Sequence, residues 1–217
     1  MTSAKSDFLT PERQRVERKW SAPKAAQQRR AGRFRNARRE RRDVRTVERL
    51  LTDHAPGAVR VLDVPCGAGR LAPAIRSRGA QLVACDISAS MVAAARGSAV
   101  LGVRGDSLRL PFRDQAFDAV VCCRLLHHFA ERALVEQALF ELLRISRGPV
   151  LASYWTRASW PGWRRRLRLS RPDRGGRVER SEGDFERAVA AAGGRVAARI
   201  RPAGWLSNQV FAVVVAR

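Results

Sequence analysis

Short apolar runs alternate with segments of helical periodicity between residues 58 and 155. A short apolar run bounded by turn residues is typical of a strand that is buried on both faces. Helical spacing predicts helices over Leu71–Ser77, Ala89–Arg96 and Glu131–Ile145. Strands that alternate with helices indicate an α/β fold with a parallel sheet and right-handed crossovers. The apolar runs predict five strands, at Val59–Val64, Gln81–Cys85, Val100–Val103, Ala119–Cys123 and Val150–Tyr154.

The C-terminal segment predicts one further helix and two strands. Ser181-Glu182-Gly183-Asp184 has the order of a capping box, in which serine and a later acid satisfy each other's backbone N–H groups. It opens a helix over Phe185–Ala192, and Gly193-Gly194 ends that helix. Val196–Ile200 and Gln209–Ala216 are predicted to be the closing strands.

Residues 61–70 combine the end of a strand, a turn of small residues and the start of a helix. This layout brings a helix N-terminus and backbone N–H groups up to a ligand. Gly67 and Gly69 lack a Cβ, so the backbone there can turn tightly and approach a ligand closely. Asp63, at the end of the strand, can accept hydrogen bonds from a cationic or hydroxyl-bearing ligand. Taken alone, the pattern fits a plain strand-to-helix turn equally well.

Acidic residues also follow the next two predicted strands. Asp86 lies 23 residues after Asp63 and ends the second strand, where an acid is suited to bind a ribose diol. Asp106 follows the third strand. Because the carboxyl ends of parallel strands meet at one crevice, these three acids favour a ligand site over a plain turn.

A set of ordered motifs runs from residue 58 to residue 150. The motifs are Leu62-Asp63, Cys66-Gly67-Ala68-Gly69-Arg70, Asp86-Ile87-Ser88 with Met91, Gly105-Asp106, Leu110-Pro111-Phe112, Asp114, Phe117-Asp118 and Leu126-His127-His128. Together they resemble the class I S-adenosylmethionine-dependent methyltransferases, especially their small-molecule and quinone/lipid-type branch. The chain departs from that family at Pro65, where a glycine is usual. Proline has a fixed φ and no N–H, so Gly67 and Gly69 must supply the close backbone approach.

The resemblance implies a Rossmann-like α/β fold. Its sheet is mostly parallel and seven-stranded with an antiparallel edge strand, and a basic N-terminal helical extension precedes it. The implied organisation is a basic, partly helical arm over residues 1–45 and a methyltransferase domain over residues 46–217. Within that domain, residues 155–180 form a basic, tryptophan-rich insertion on the substrate side. The implied cofactor is S-adenosyl-L-methionine, and the chemistry requires no metal.

The resemblance also implies a role for each residue around the cofactor. Asp63 and the glycine turn line its amino-acid end, Asp86 binds the ribose hydroxyls, and Asp106 accepts from the adenine amino group. The implied cofactor-binding residues are Asp63, Cys66, Gly67, Ala68, Gly69, Asp86, Ile87, Asp106, Ser107, Arg124 and Leu125. Of these, Ile87 and Leu125 fit a plain core position as well.

The acceptor side offers one histidine and three tryptophans. With a pKa near neutrality, His127 could deprotonate a hydroxyl or a carbon acid; the alternative is a packing role. Trp155, Trp160 and Trp163 stand beside the basic run at 164–169. Such a sequence suits contact with a membrane interface, or stacking on nucleic-acid bases with neutralisation of phosphates. Alternatively, the tryptophans cap the core beside a solvated loop.

Charge is concentrated outside the predicted cofactor-binding core. The 217 residues have a formal net charge of +22. Residues 1–49 hold 16 basic and 6 acidic side chains, and residues 157–180 hold 9 and 2. This basic charge fits an anionic partner, which would be a membrane surface, nucleic acid or an acidic substrate. A solvated arm and a compositional bias toward arginine are the alternatives.

Other sequence features narrow the functional classes. No apolar stretch reaches the length of a membrane span, and no secretory signal is apparent. We therefore expect a cytoplasmic protein. Peripheral attachment to the inner membrane face is compatible with this expectation. The four cysteines are expected to be reduced packing residues, and no Cys/His spacing suggests a metal. The sequence thus favours methyl transfer to a small-molecule or lipid-like acceptor. The alternatives are a basic RNA-binding methyltransferase and a non-catalytic binding protein on the same scaffold.

Overall fold

The computed structural model describes residues 37–98, 101–167 and 177–217. The first 36 residues of the predicted basic arm, and residues 168–176 of the predicted insertion, lie outside the described residues. Six helices are described: α1 (Ala37–His54), α2 (Ala72–Arg76), α3 (Ala89–Ala95), α4 (Arg132–Ile145), α5 (Trp160–Arg166) and α6 (Glu182–Ala191). Seven strands are described: β1 (Arg60–Asp63), β2 (Gln81–Asp86), β3 (Leu101–Arg104), β4 (Ala119–Cys122), β5 (Val150–Trp155), β6 (Gly194–Ile200) and β7 (Gln209–Ala216).

The strands form one sheet in the order β3-β2-β1-β4-β5-β7-β6. The first five pair in parallel, and β1 lies between β2 and β4. In this register Val61 is paired with Leu82 on one side and with Ala119 on the other. The strands β1, β2, β3, β4 and β5 therefore all end at the same edge, which we call the carboxyl edge.

The remaining two strands form a hairpin that completes the sheet. β7 is antiparallel to β5 and to β6, and Trp155 at the end of β5 is paired with Gln209 at the start of β7. The predicted seven-stranded, mostly parallel sheet is confirmed, with β7 as the antiparallel strand and β6 outermost. The segments that follow β5 and precede β7 consequently also lie at the carboxyl edge.

The hydrophobic core covers both faces of the sheet. Successive strand residues point to opposite faces, so Leu62 packs with the side of the sheet that carries α4 and α6. Its neighbour Val61 packs with the side that carries α1 and α2. Strands buried on both faces explain the nearly continuous apolar runs in the sequence. Polar groups can therefore reach a ligand only from the loops at the ends of the strands.

The predicted elements are confirmed, with ends that differ by no more than three residues. One helix was not predicted: α5 lies in the segment described above as a basic, tryptophan-rich insertion. Its signal was the order Ser159-Trp160-Pro161, because the Ser159 hydroxyl accepts from the backbone N–H of Gly162 and proline stands in the first turn. The proposed boundary at residue 45 falls within α1, and it stays a prediction.

The predicted capping box of α6 is present. The Ser181 hydroxyl accepts from the backbone N–H of Asp184 at 3.0 Å, and the Asp184 carboxylate accepts from the backbone N–H of Ser181 at 3.3 Å. Ser181→Ala is expected to lower the free energy of unfolding by about 1 kcal/mol, because an N–H of the first turn loses its acceptor. Urea denaturation measures the change. Ser181→Thr, which keeps the oxygen, should recover most of the loss; equal losses in both variants would contradict this role of the hydroxyl.

Candidate functional site

Asp63 ends β1 with a buried carboxylate beneath the glycine turn. Its side chain is 1% exposed, and neither carboxylate oxygen has a hydrogen-bond partner within the described residues. Burial raises the pKa of this carboxyl to about 7, although the positive charge of Arg70 acts in the opposite direction. A buried carboxyl without a partner is uncommon and costly. The group fits a cationic ligand, which would supply both the missing hydrogen bonds and a counter-charge.

The turn after β1 has the backbone conformation that its glycines allow. Gly67 and Gly69 have φ values of 53° and 76°, a left-handed region that favours glycine. A Cβ built on Gly67 would meet no atom within 4 Å, so the turn faces open space. Cys66 is buried and donates its backbone N–H to the carbonyl of Cys85 on β2, at 2.8 Å. Ala68, between the glycines, is half-buried.

Asp86 joins the end of β2 to the glycine turn. Its Oδ2 accepts from the backbone N–H of Gly67 at 2.9 Å, and its Oδ1 accepts from that of Ser88 at 3.0 Å. A carboxylate oxygen has room for more than one donor, so these bonds leave acceptor capacity for ligand hydroxyls. Ile87, the next residue, is half-buried at the same edge.

Asp106 lies directly after β3 and close to Asp86. The intervening Gly105 donates its backbone N–H to the carbonyl of Asp86 at 3.0 Å. The Oδ1 of Asp106 accepts from the backbone N–H of Leu108 at 2.9 Å, which orients the carboxylate within its loop. Asp106 and Ser107 are both half-buried. The three acids that the sequence singled out therefore follow adjacent strands at the carboxyl edge.

Arg124 and Leu125 follow β4 at the same edge. Arg124 adopts a φ of 66°, unusual for a residue with a side chain, and its backbone N–H donates to the Ser153 hydroxyl at 2.8 Å. Its guanidinium Nη2 lies 2.7 Å from Oδ2 of Asp43 on α1. Leu125 is buried in the core that also holds α4. Leu125 thus has a packing position at the carboxyl edge.

Asp43 is a functional candidate that the sequence analysis missed. Its carboxylate is 2% exposed, and the same Oδ2 that meets Arg124 also accepts from Arg70 Nη1 at 3.2 Å. It thereby ties α1 to the glycine turn and to the loop after β4. A signal was available: Asp43, Val47 and Leu50 recur at helical spacing on the buried face of α1.

His127 lies buried in a short turn after β4. Its ring stacks on Trp155, with 4.4 Å between centroids and 10° between planes. Burial lowers its pKa to about 2, and the positive charges of Arg177, Arg39 and Arg124 act in the same direction. The expectation of a near-neutral pKa is therefore wrong, because a buried imidazole among arginines resists a further positive charge. His127 is a neutral ring at physiological pH.

The three predicted tryptophans occupy two different environments. Trp155 is buried beside His127, whereas Trp160 and Trp163 on α5 are exposed and stack on each other at 5.1 Å. Trp205, which the sequence analysis missed, packs edge-on against Trp160 at 5.2 Å. We call Trp160, Trp163 and Trp205 the tryptophan patch. A cleft of about 430 Å³ is lined by Arg157, Ala158, Ser159, Trp160, Trp163, Arg166 and Trp205.

Three further features concern metal binding, membrane crossing and the cysteines. Within residues 37–98, 101–167 and 177–217, no group of three His, Cys, Asp or Glu side chains is arranged to hold a metal ion. In the same ranges, no helix is long and apolar enough to cross a membrane. The four cysteines are buried, and burial raises the pKa of each thiol. They are packing residues rather than nucleophiles.

Comparison with known proteins shows a similarity to methyltransferases. Residues 62–148 match the family described as "Methyltransferase domain". The chain is 39% identical over 133 residues to a demethylmenaquinone methyltransferase of Parafrankia sp., covering 51% of this chain and 50% of that protein. It is 33% identical over 99 residues to a "Probable tRNA methyltransferase 9B" of Mus musculus, covering 46% of this chain and 22% of that protein. The chain thus spans half or less of the length of these relatives.

Solved structures support the same fold. Magnesium protoporphyrin IX methyltransferase from Synechocystis PCC 6803, solved with bound S-adenosylhomocysteine, superposes with a TM-score of 0.75 at 17% identity. The alignment covers 94% of this chain and all of that one. At this identity the likeness concerns the fold alone. Residues 62–148 therefore match a methyltransferase domain, and the chain has the fold of a methyltransferase solved with bound S-adenosylhomocysteine.

Proposed function

We propose that this protein transfers the methyl group of S-adenosyl-L-methionine to a small-molecule or lipid-like acceptor. The observation that carries the proposal is the convergence of Asp63, the glycine turn, Asp86 and Asp106 at one edge of a parallel sheet. In open α/β sheets this edge is where ligands bind. When bound, the cofactor would supply a methyl group on a sulfonium, which leaves the protein the tasks of binding, alignment and exclusion of water.

The chemistry of each residue suits it to a different part of the cofactor. The unpartnered Asp63 carboxylate suits the cofactor's ammonium group, and the glycine turn with Cys66 and Ala68 allows close approach of its amino-acid end. Asp86 suits the ribose hydroxyls. Further along the same edge, Ile87 suits one adenine face, and Asp106 with Ser107 suits the adenine amino group, whereas Arg124 and Leu125 close the pocket floor.

The acceptor side is formed by the loop after β4 and the end of β5. His127 and Trp155 lie there as a stacked pair. Since its pKa is far below neutrality, His127 is a poor general base, and we assign it a neutral role in orienting the acceptor. The demethylmenaquinone methyltransferase relatives support an acceptor of the small-molecule or lipid-like class.

A lipid-like acceptor would lie in a membrane, and the tryptophan patch is suited to contact one. The exposed Leu206 follows Trp205 in the chain, and the exposed Arg166 and Leu167 lie at the end of α5. Tryptophan rings favour the headgroup region of a bilayer, and arginines favour an anionic surface. The patch also lies at the carboxyl edge, because α5 follows β5 and Trp205 precedes β7. We therefore propose that the patch holds the protein on an anionic membrane face, from which the acceptor enters.

RNA is the competing partner. The basic composition and the relative described as a probable tRNA methyltransferase support it. Exposed tryptophans beside arginines could stack on bases while the arginines neutralise phosphates. Binding to RNA would show a steep dependence on salt concentration, which gives a direct way to separate the two partners.

Binding of S-adenosylhomocysteine tests the cofactor assignment. Asp86→Asn is expected to weaken binding about 10- to 100-fold, because the amide replaces one acceptor oxygen with a donor that opposes a backbone N–H. Isothermal titration calorimetry measures the affinity. Glu136 is an acid on the outer side of α4 that pairs with Arg132. Glu136→Gln is therefore the matched control and should leave the affinity unchanged. No binding to the native protein at millimolar ligand would refute the proposed function.

The raised pKa of Asp63 predicts a pH-dependent affinity. An ammonium group binds the ionised carboxylate, so the affinity for S-adenosylhomocysteine should fall about fivefold from pH 7 to pH 6 as the carboxyl with a pKa of about 7 takes up a proton. Asp63→Asn should bind more weakly at pH 7 and lose this pH dependence. Calorimetry between pH 5.5 and pH 7 measures both effects.

The pH dependence of protein stability tests the raised pKa of Asp63 independently. A carboxyl whose pKa is raised on folding binds more protons in the native state, so native stability should fall as the pH rises from about 4 through 7. Denaturant unfolding of the native protein should show this fall relative to Asp63→Asn. Parallel stability curves for the two proteins would contradict the raised pKa.

Vesicle flotation tests the membrane partner. The native protein should float with vesicles that contain phosphatidylglycerol, and the double variant Trp160→Ala, Trp163→Ala should lose most of this binding. Phe140→Ala, which removes an exposed aromatic ring from α4, is the matched control and should retain it. If the protein binds RNA in a salt-sensitive way and does not bind the vesicles, the membrane assignment is wrong.

A further inference from the structure

Three arginines from distant parts of the chain surround the His127–Trp155 stack. The guanidinium carbon of Arg39 lies 5.5 Å from the centroid of the Trp155 ring, and that of Arg177 lies 5.2 Å away. Arg124, after β4, is close enough for its charge to act on both Arg39 and His127. We call Arg39, Arg124 and Arg177 the arginine group. It gathers cations from α1, from the loop after β4 and from the segment before α6.

Among the described residues, Arg124 meets a carboxylate and Arg39 meets a neutral amide. Asp43 places one carboxylate oxygen against Arg124, and the same oxygen is shared with Arg70. Arg39 donates to the neutral amide oxygen of Gln209 at 3.4 Å. Burial lowers the pKa of Arg39, and the charges of Arg124 and Arg177 add to the effect while Asp43 opposes it. Arg39 and Arg124 are half-buried, and like charges held together in this way are stabilised when an anion enters between them.

The position of the arginine group connects it with the acceptor rather than with the adenine end of the cofactor pocket. Arg124 follows β4, next to the turn that carries His127, and Arg39 and Arg177 lie against Trp155 at the end of β5. The left-handed backbone of Arg124 lies at the same place. Backbone strain of this kind, in a residue that carries a side chain, is concentrated at functional sites.

We propose that the methyl acceptor is an anion and that the arginine group binds its carboxylate or phosphate beside Trp155. This inference rests on the proposed function and specifies its substrate class. A guanidinium presents its N–H donors as a planar fork that matches the oxygens of a carboxylate or phosphate. Asp43 holds Arg124 toward α1, and Arg39, which donates to the neutral amide of Gln209, is placed to meet the acceptor. A neutral acceptor would bring no negative charge to Arg39.

Three probes that share one ring system test the charge preference: 2-naphthoate, 2-naphthyl phosphate and the neutral 2-naphthamide. Their binding is measured by calorimetry on the full chain saturated with S-adenosylhomocysteine. At least one anionic probe should bind about tenfold or more tightly than the amide. Arg39→Gln should reduce this preference to near unity. Arg38→Gln, the adjacent exposed residue of α1, is the matched control and should preserve the preference.

The outcomes separate this inference from the proposed function. If S-adenosylhomocysteine fails to bind, the proposed function is wrong. If it binds but the anions bind no better than the amide, or no probe binds, the inference alone is wrong. Equal losses in Arg38→Gln and Arg39→Gln would also overturn it, because the effect would then be one of general charge.

A second comparison excludes the cofactor's own carboxylate as the anion. S-adenosylhomocysteine carries that carboxylate, whereas 5′-methylthioadenosine does not. The affinities of both ligands should be the same in Arg39→Gln as in the native protein. Weaker binding of S-adenosylhomocysteine alone would assign the arginine group to the cofactor and overturn the inference. Thermal unfolding of each variant verifies that it is folded.

Discussion

The parallel pairing of β1 with both β2 and β4 is the constraint on which the rest of the structure depends. It brings the ends of three strands to one edge, and the short loops that follow them become neighbours. The hydrogen bond from the Gly67 N–H to the Asp86 carboxylate is a direct result, since it joins the loop after β1 to the end of β2. Because the strands are buried on both faces, polar chemistry is confined to these loops.

Two buried carboxylates at this edge illustrate how local partners decide the role of the same group. Asp43 meets Arg70 and Arg124, so its charge is compensated and it holds α1 against two loops. Asp63 has no hydrogen-bond partner among the described residues, and burial raises its pKa to about 7. A paired carboxylate suits a structural role, whereas an unpaired one suits a site whose partner arrives with the ligand.

Much of the fold was predictable because its signals are local. Apolar runs marked the strands, and the capping box marked the start of α6. The three acids of the candidate cofactor site were also predictable, since each lies at the end of a strand or just after it and parallel strands end together. Asp43 was harder to find, because its importance depends on Arg70 and Arg124, which lie 27 and 81 positions further along the chain.

Local patterns in the sequence encode the alternation of strands and helices, the glycine turn and the acids at successive strand ends. These follow from periodicity, from glycine's access to left-handed backbone and from the geometry of parallel sheets. Long-range packing, in contrast, buries Trp155 against His127 and joins Trp160 and Trp163 to Trp205 at the surface. The same packing keeps His127 neutral and surrounds it with arginines from three segments. Burial and the proximity of charges depend on contacts between residues far apart in the chain, and no local pattern encodes them.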